Sequence, residues 1–199
     1  NWIQQDAGII MGRASTLQGY FVDINRDGFL DLTANLRDGV WVYLGDGNGG
    51  WTDSSAGLPV ESGTSDSPFS LDWGDFNNDG CLDLFLVNLG RQADIGQESK
   101  LFENACDCGS NWLQVKTIGT ISKTNGIGAR LKITYGPETP WRSISAGVSS
   151  MSQNTLVAHF GLASTQIVDS LEIHWPSGTI QTLRNIEANQ IITIIEPLG

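Results

Sequence analysis

The chain has 199 residues, 40% of them apolar and 17% charged, with 11 Lys+Arg against 22 Asp+Glu and a formal net charge of −11. The length suits one large or two small domains, and the apolar share is enough to fill their cores, which excludes a disordered tail. So acidic a surface repels phosphate backbones, and the Lys and Arg are scattered with no cluster, so no nucleic-acid partner is expected. The longest apolar stretches, such as Leu84 to Val87, fall far short of the roughly 18 residues that span a bilayer.

The chain opens on Asn1 without a charged segment followed by an apolar one, and so reads as a processed product or a piece of something longer. Its 24 Gly and 7 Trp, set as Gly-rich turns between short aromatic and β-branched runs, predict an all-β chain. The first half repeats itself. Asp23-Ile24-Asn25-Arg26-Asp27-Gly28-Phe29-Leu30-Asp31-Leu32 returns 52 residues later as Asp75-Phe76-Asn77-Asn78-Asp79-Gly80-Cys81-Leu82-Asp83-Leu84. Trp2 to Gly8 resembles Trp51 to Gly57, and Val40 to Leu44 has a counterpart in Lys100 to Asn104. A unit of roughly 50 residues with a few short strands has the size of a propeller blade. The expected repeats are about 1–50 and 51–108.

The repeated pattern D-x-N-x-D-G-x-x-D has a chemical reason for its spacing. Calcium takes 6–8 oxygen ligands at about 2.3–2.6 Å, and short carboxylates and amides at alternate positions of a tight loop face one centre. Gly at the sixth position permits the sharp turn. The expected ligands are Asp23, Asn25, Asp27, the Phe29 carbonyl and Asp31 in one loop, and Asp75, Asn77, Asp79, the Cys81 carbonyl and Asp83 in the other. An EF-hand is excluded, because position twelve is Ala34 or Leu86 where a Glu is required, and the flanks read as strands. Asp, Asn and Gly also crowd ordinary β-turns, but two loops with the same residue types at the same spacing favour two Ca²⁺ sites. Gly45 to Gly50 carries one carboxylate before Asp53 and reads as a hairpin turn.

Cys81, Cys106 and Cys108 suggest one disulfide between Cys81 and one of the other two, with zinc a weaker reading because no His lies near. After Cys108 the acidic loops stop. Leu131, Ile133 and Tyr135 alternate with Arg130, Lys132 and Thr134. Leu171, Ile173 and Trp175 alternate with Glu172 and His174, and Leu113, Val115 and Thr117 follow the same rule. Period-two alternation marks strands with one buried face, so residues 109–199 read as an antiparallel β-sandwich.

The acidic loops resemble FG-GAP/VCBS repeats, and the second half resembles the ASPIC/UnbV domain of cartilage acidic protein-like proteins. Thr124 to Arg130 matches that domain's GIGAR turn, Ser152-Gln153-Asn154 with His159-Phe160-Gly161-Leu162 its SQN and HFGL stretches, and Trp175-Pro176-Ser177-Gly178 with Gln181, Leu183 and Asn189 its ending. The resemblance implies calcium in the repeat loops, an extracellular setting and no catalysis. Two blades cannot close a ring that typically needs 4–8. The chain is therefore a piece of something larger, or its open edges pair with the sandwich or with another copy.

No nucleophile elbow, zinc-protease helix or phosphate loop is present, and His159 and His174 fall on strands, so an enzyme is not expected. The reading is a secreted, non-catalytic calcium-binding structural or adhesion module that self-associates or binds a protein partner. The rival is a calcium-dependent carbohydrate-binding module, for which Trp141, after Pro140, is the candidate exposed platform among Trp2, Trp41, Trp51, Trp73 and Trp141.

Overall fold

The computed structural model describes residues 16–36, 39–56, 58, 70–87, 98–106, 109–147, 153 and 155–198. Over these residues the chain is all-β, with fourteen strands and no helix. Trp2 to Gly8, Cys108, Ser152 and Asn154 lie outside them. None of the described segments forms a helix long and apolar enough to cross a membrane.

The first half forms two small antiparallel sheets. One runs β1 (Thr16–Val22), β2 (Asp31–Leu36), β3 (Gly39–Gly45) and β4 (Trp51–Asp53) as a meander, and the other β5 (Ser70–Gly74), β6 (Asp83–Val87) and β7 (Lys100–Phe102). The sequence repeat is also a structural one. Each acidic loop joins the first two strands of its sheet, with β1 and β2 matching β5 and β6 at the same spacing. Alternate residues of the two sheets meet in one core. Tyr20, Val40 and Val42 come from the first, and Leu71, Trp73, Leu84 and Leu86 from the second. Two polar bonds fix their mutual position: the Tyr20 hydroxyl donates to the Leu71 carbonyl at 2.8 Å, and Trp73 Nε1 donates to Thr33 Oγ1 at 3.1 Å.

The second half comprises β8 (Asn111–Ile118), β9 (Arg130–Thr134), β10 (Trp141–Ser143), β11 (Val157–Ala163), β12 (Ile167–His174), β13 (Ile180–Glu187) and β14 (Gln190–Ile195). They build a sheet ordered β10-β9-β12-β13 and another ordered β11-β8-β14. Leu113, Val115, Phe160 and Leu162 from one, and Leu131, Ile133, Leu171 and Ile173 from the other, interdigitate in the core and are fully buried. The pairing is antiparallel throughout except that β14 returns parallel to β8.

In β9 and β12 the alternation falls as expected, inward for the apolar residues and outward for the polar ones. β8 departs from it: Trp112, Leu113, Gln114 and Val115 are all buried, because its second face packs against the acidic loops. A second departure concerns charge. Although Lys and Arg are scattered in sequence, the pleat places Arg130 and Lys132 on one face beside Trp141 and His174, with Glu172 pairing Lys132 at 3.6 Å.

The chain's end is tied down by Glu196, only 1% exposed. Its carboxylate accepts from the backbone N–H groups of Thr120, Ile121 and Ser122 and from the Ser122 and Ser177 hydroxyls.

Candidate metal centre

Both acidic loops have the same hydrogen-bonded skeleton. The first carboxylate accepts from the sixth residue's N–H: Gly28 N to Asp23 Oδ2 at 3.1 Å, and Gly80 N to Asp75 Oδ2 at 2.9 Å. The third residue's amide oxygen accepts from the fifth N–H, Asp27 to Asn25 and Asp79 to Asn77, at 3.1 Å in each loop. The fifth carboxylate accepts from the seventh N–H, at 2.8 Å from Phe29 and 2.7 Å from Cys81. The ninth caps the loop's start. Asp31 Oδ2 accepts from Ile24 N at 2.7 Å, and Asp83 Oδ2 from Phe76 N at 3.1 Å.

This winding needs left-handed backbone at two points per loop. Arg26 has φ 63° and Gly28 φ 95°, and Asn78 and Gly80 have 60° and 85°. Only Gly adopts such angles freely, and Asn tolerates them better than most residues. The ninth Asp also reaches forward within its own sheet. Asp31 Oδ1 accepts from Gly45 N at the end of β3, and Asp83 Oδ1 from Asn104 N just past β7. Each loop thus ties three strands together. The Asn104 amide joins the two loops by donating to the carbonyls of Ile24 and Leu82, both at 3.1 Å. A disulfide between Cys81 and Cys106, Cα atoms 6.0 Å apart, fastens loop two to the segment after β7.

The carboxylates are held under electrostatic pressure. Burial pushes Asp23 up to about 7, against the pull of the Arg142 guanidinium, with Asp27 and Asp31 raising it further. Burial likewise pushes Asp31 up to about 6, against the N–H groups of Gly45 and Ile24. Asp83 is raised for the same reason, with Asp79 and Asp75 adding to the effect. Asp23 is 2% exposed, and its Oδ1 is buried with no hydrogen-bond partner.

As they stand, no three His, Cys, Asp or Glu side chains among the described residues converge on one point close enough to hold an ion. The fifth Asp of each loop is bonded within the loop. Its Oδ2 takes the Asn amide, Asn25 to Asp27 and Asn77 to Asp79, at 2.8 Å in both loops. Phe29 and Cys81 occupy the seventh positions, with their N–H groups pointing back to that Asp.

Both loops are seated on the second half, through residues that the sequence did not single out. Asp23 Oδ2 accepts a second bond from Gly161 N at 3.0 Å, and the Arg26 carbonyl accepts from Ala163 N at 2.9 Å. Gln114 Nε2 donates to Asp75 Oδ2 at 2.5 Å, and His159 Nε2 lies 2.9 Å from the Gly80 carbonyl. The two loop glycines make the close approach possible. A Cβ on Gly28 would meet the Tyr135 hydroxyl at 2.6 Å, and one on Gly80 would collide with the Trp112 indole. Gly161, inside β11, is open for the same purpose, since a Cβ there would strike Asp23 and Arg26. The one signal in the sequence was a Gly in mid-strand, which marks a close backbone approach.

The Gly45–Gly50 loop is a self-bonded turn. Asp46 Oδ1 accepts from Asn48 N and Gly50 N, both at 2.8 Å. Trp141 lies on β10 at 40% exposure. Its ring carries the Arg130 guanidinium 4.7 Å and the Lys132 ammonium 5.9 Å from the centroid, with the His174 ring 5.2 Å away edge-on. Trp73 is buried in the blade core, and Trp41 and Trp51 are half-buried.

The FG-GAP-like repeat family matches residues 23–86, and the ASPIC and UnbV family matches residues 119–199. No curated protein matches the chain. The chain carries an FG-GAP-like repeat region followed by an ASPIC and UnbV domain.

Proposed function

We propose that this chain, in which FG-GAP-like repeats run into an ASPIC and UnbV domain, is a secreted, non-catalytic structural or adhesion module stiffened by one calcium ion in each acidic loop. The observation that carries the reading is the buried, unpartnered Asp23 Oδ1. Its sister oxygen caps Gly28, so Oδ1 is the atom left over for a ligand. A bare carboxylate oxygen out of water is costly, and a divalent cation on it removes that cost. The donor set is all oxygen, which suits a hard cation. Binding requires Asp27 and Asp79 to give up their bonds to the neighbouring Asn amides, and in the second loop Asp75 Oδ1 to release the N–H of Asp79.

The Cys81–Cys106 disulfide supports an oxidising, extracellular setting. Exposed Leu101 on the edge strand β7 and Phe85 beside it on β6 offer an apolar patch, reaching an open sheet edge, for a protein partner or a second copy. Light scattering in calcium tests that part, and a monomer at high concentration counts against it. Calcium titration by calorimetry tests the core of the proposal. Two ions per chain are expected, falling to one in Asp27→Ala or Asp79→Ala. A wild-type chain that binds none overturns the reading.

A further inference from the structure

Three residues that line one cavity each carry a buried polar atom without a partner. Between the first acidic loop and the second half lies a cavity of about 210 Å³, lined by Asp23, Trp73, Leu82, Arg142 and His159, with Thr155 also on its lining. Asp23 Oδ1, Arg142 Nη2 and His159 Nδ1 are each buried and unbonded. Asp23 and His159 are 2% and 7% exposed. The remaining nitrogens of the two cationic-type side chains are committed. Arg142 Nε donates to the His159 carbonyl and Nη1 to the Trp141 carbonyl, both at 3.0 Å, while the guanidinium lies 5.2 Å from the Phe160 ring centroid.

The chemistry of these atoms defines what fits. The Gly80 carbonyl can only accept, so His159 Nε2 carries the proton and donates to it. Burial keeps the ring neutral, its pKa pushed down to about 4 with the Arg142 guanidinium adding to the effect. Nδ1 is then a bare lone pair. The side chains lining the cavity therefore hold one uncommitted donor, Arg142 Nη2, and two uncommitted acceptors, His159 Nδ1 and Asp23 Oδ1. A carboxylate or phosphate accepts only, and would set its charge against Nδ1 and Asp23. An ammonium donates only, and would face Arg142. A hydroxyl both accepts and donates on a single oxygen. A single oxygen that both accepts and donates meets these groups without bringing in a charge, and Trp73 with Leu82 supplies an apolar wall for the carbon face of a ring.

We infer that this junction cavity binds a neutral polyhydroxylated ligand, a single sugar ring or a polyol of that size, through hydroxyls that accept from Arg142 Nη2 and donate to His159 Nδ1, beside Asp23. The site stands apart from the ion reading in that Arg142 and His159 belong to neither loop. Because Asp23 is shared, it is tested in saturating calcium and in chelator.

The full chain is titrated by calorimetry with methyl glucoside, methyl galactoside, methyl mannoside, inositol and glycerol, and with acetate, phosphate and acetamide as comparators. One polyol is expected to saturate at one per chain in at least one of the two conditions, with none of the comparators binding as tightly. Thr155→Trp, which adds an indole to the cavity lining from an exposed position, is expected to weaken binding at least tenfold with its melting temperature unchanged. Arg142→Lys, which removes the free donor, is expected to weaken it about tenfold. The inference is overturned if no polyol binds in either condition, if a comparator binds more tightly, or if a folded Thr155→Trp chain keeps wild-type affinity.

Discussion

Asp79→Ala separates a metal ligand from a structural carboxylate more cleanly than any other change in the two loops. Asp79 is exposed, and of its side-chain bonds the one from Asn77 Nδ2 at 2.8 Å is exposed and the one from Cys81 N at 2.7 Å part-buried. Losing them costs about 1 kcal/mol. Asp31 would be a poor choice. It is fully buried and caps two backbone N–H groups, so its removal costs about 2–6 kcal/mol with or without metal. An ion present at about 100 times its dissociation constant adds about 2.7 kcal/mol per site. That condition is met near 10 mM calcium for a dissociation constant of about 10⁻⁴ M. For a chain of this size, 1 kcal/mol moves the melting temperature by about 2–4 °C, so each site is worth about 5–11 °C. Scanning calorimetry of the wild type and of Asp79→Ala, in calcium and in chelator, is the assay. The variant should melt close to wild type in chelator and show about half of the wild-type calcium shift. A wild type with no calcium shift, or a variant that keeps all of it, refutes the reasoning.

The calcium shift should also depend on pH. Asp23 and Asp31 have folded pKa values raised to about 7 and 6 from 3.8. In chelator the folded state therefore holds protons that the unfolded state has released, and these two groups make the chain less stable as pH rises from about 4 to 7. Calcium displaces those protons, so its stabilising shift should be largest above pH 7 and shrink toward pH 5; a shift that is flat across that range contradicts the ion's placement on Asp23. Gly80→Ala should destabilise by about 2 kcal/mol or more, since the residue has φ 85° and a Cβ would strike Trp112; chemical denaturation showing a loss under 0.5 kcal/mol would mean the loop seats elsewhere. Glu196 behaves oppositely to Asp23. Burial alone would raise it, but the hydrogen bonds from Ser177, Ser122 and Ile121 outweigh that and pull it from 4.5 down to about 2. Its contribution is complete above pH 4.5 and fades as pH falls through 2, and Glu196→Gln should remove that acid limb from the stability profile measured by circular dichroism.

The loops were legible in the sequence because a turn of this kind admits few residues at each position. The carboxylate caps, the left-handed sixth residue and the ninth Asp are local, and the 52-residue repeat presented each of them twice. The strands of the second half were legible for a similar reason, since β9 and β12 each have one face in the core and one in water. What was not legible is contact between distant segments. Asp23 meets Gly161 across 138 residues and Asp75 meets Gln114 across 39. Nothing in Asn111-Trp112-Leu113-Gln114 marks a strand buried on both faces except the presence of Trp and Gln on the side expected to be wet. The parallel return of β14 beside β8 is likewise set by the packing of the whole domain. The scattering of Lys and Arg in sequence said nothing about strand register, which brings Arg130 and Lys132 to Trp141.

Among the described residues the two repeat sheets form no closed ring, which leaves the question of what holds the repeats in place, and the loops themselves answer part of it. In each repeat the acidic loop is the end that touches the second half: loop one at Tyr135, Gly161 and Ala163, loop two at Trp112, Gln114 and His159. These residues lie mainly on β8 and β11, neighbouring strands of one sheet. The same carboxylates that shape each loop also accept hydrogen bonds from that sheet, Asp23 from Gly161 and Asp75 from Gln114. Loop order and the seating of the repeats on the second half are therefore one energetic unit, and additivity fails within it. Substitutions at Asp75 and Gln114 together should cost less than their separate effects summed, because each removes the partner of the other. A double-mutant cycle by denaturation that shows strict additivity would mean the loops fold independently of the surface beneath them.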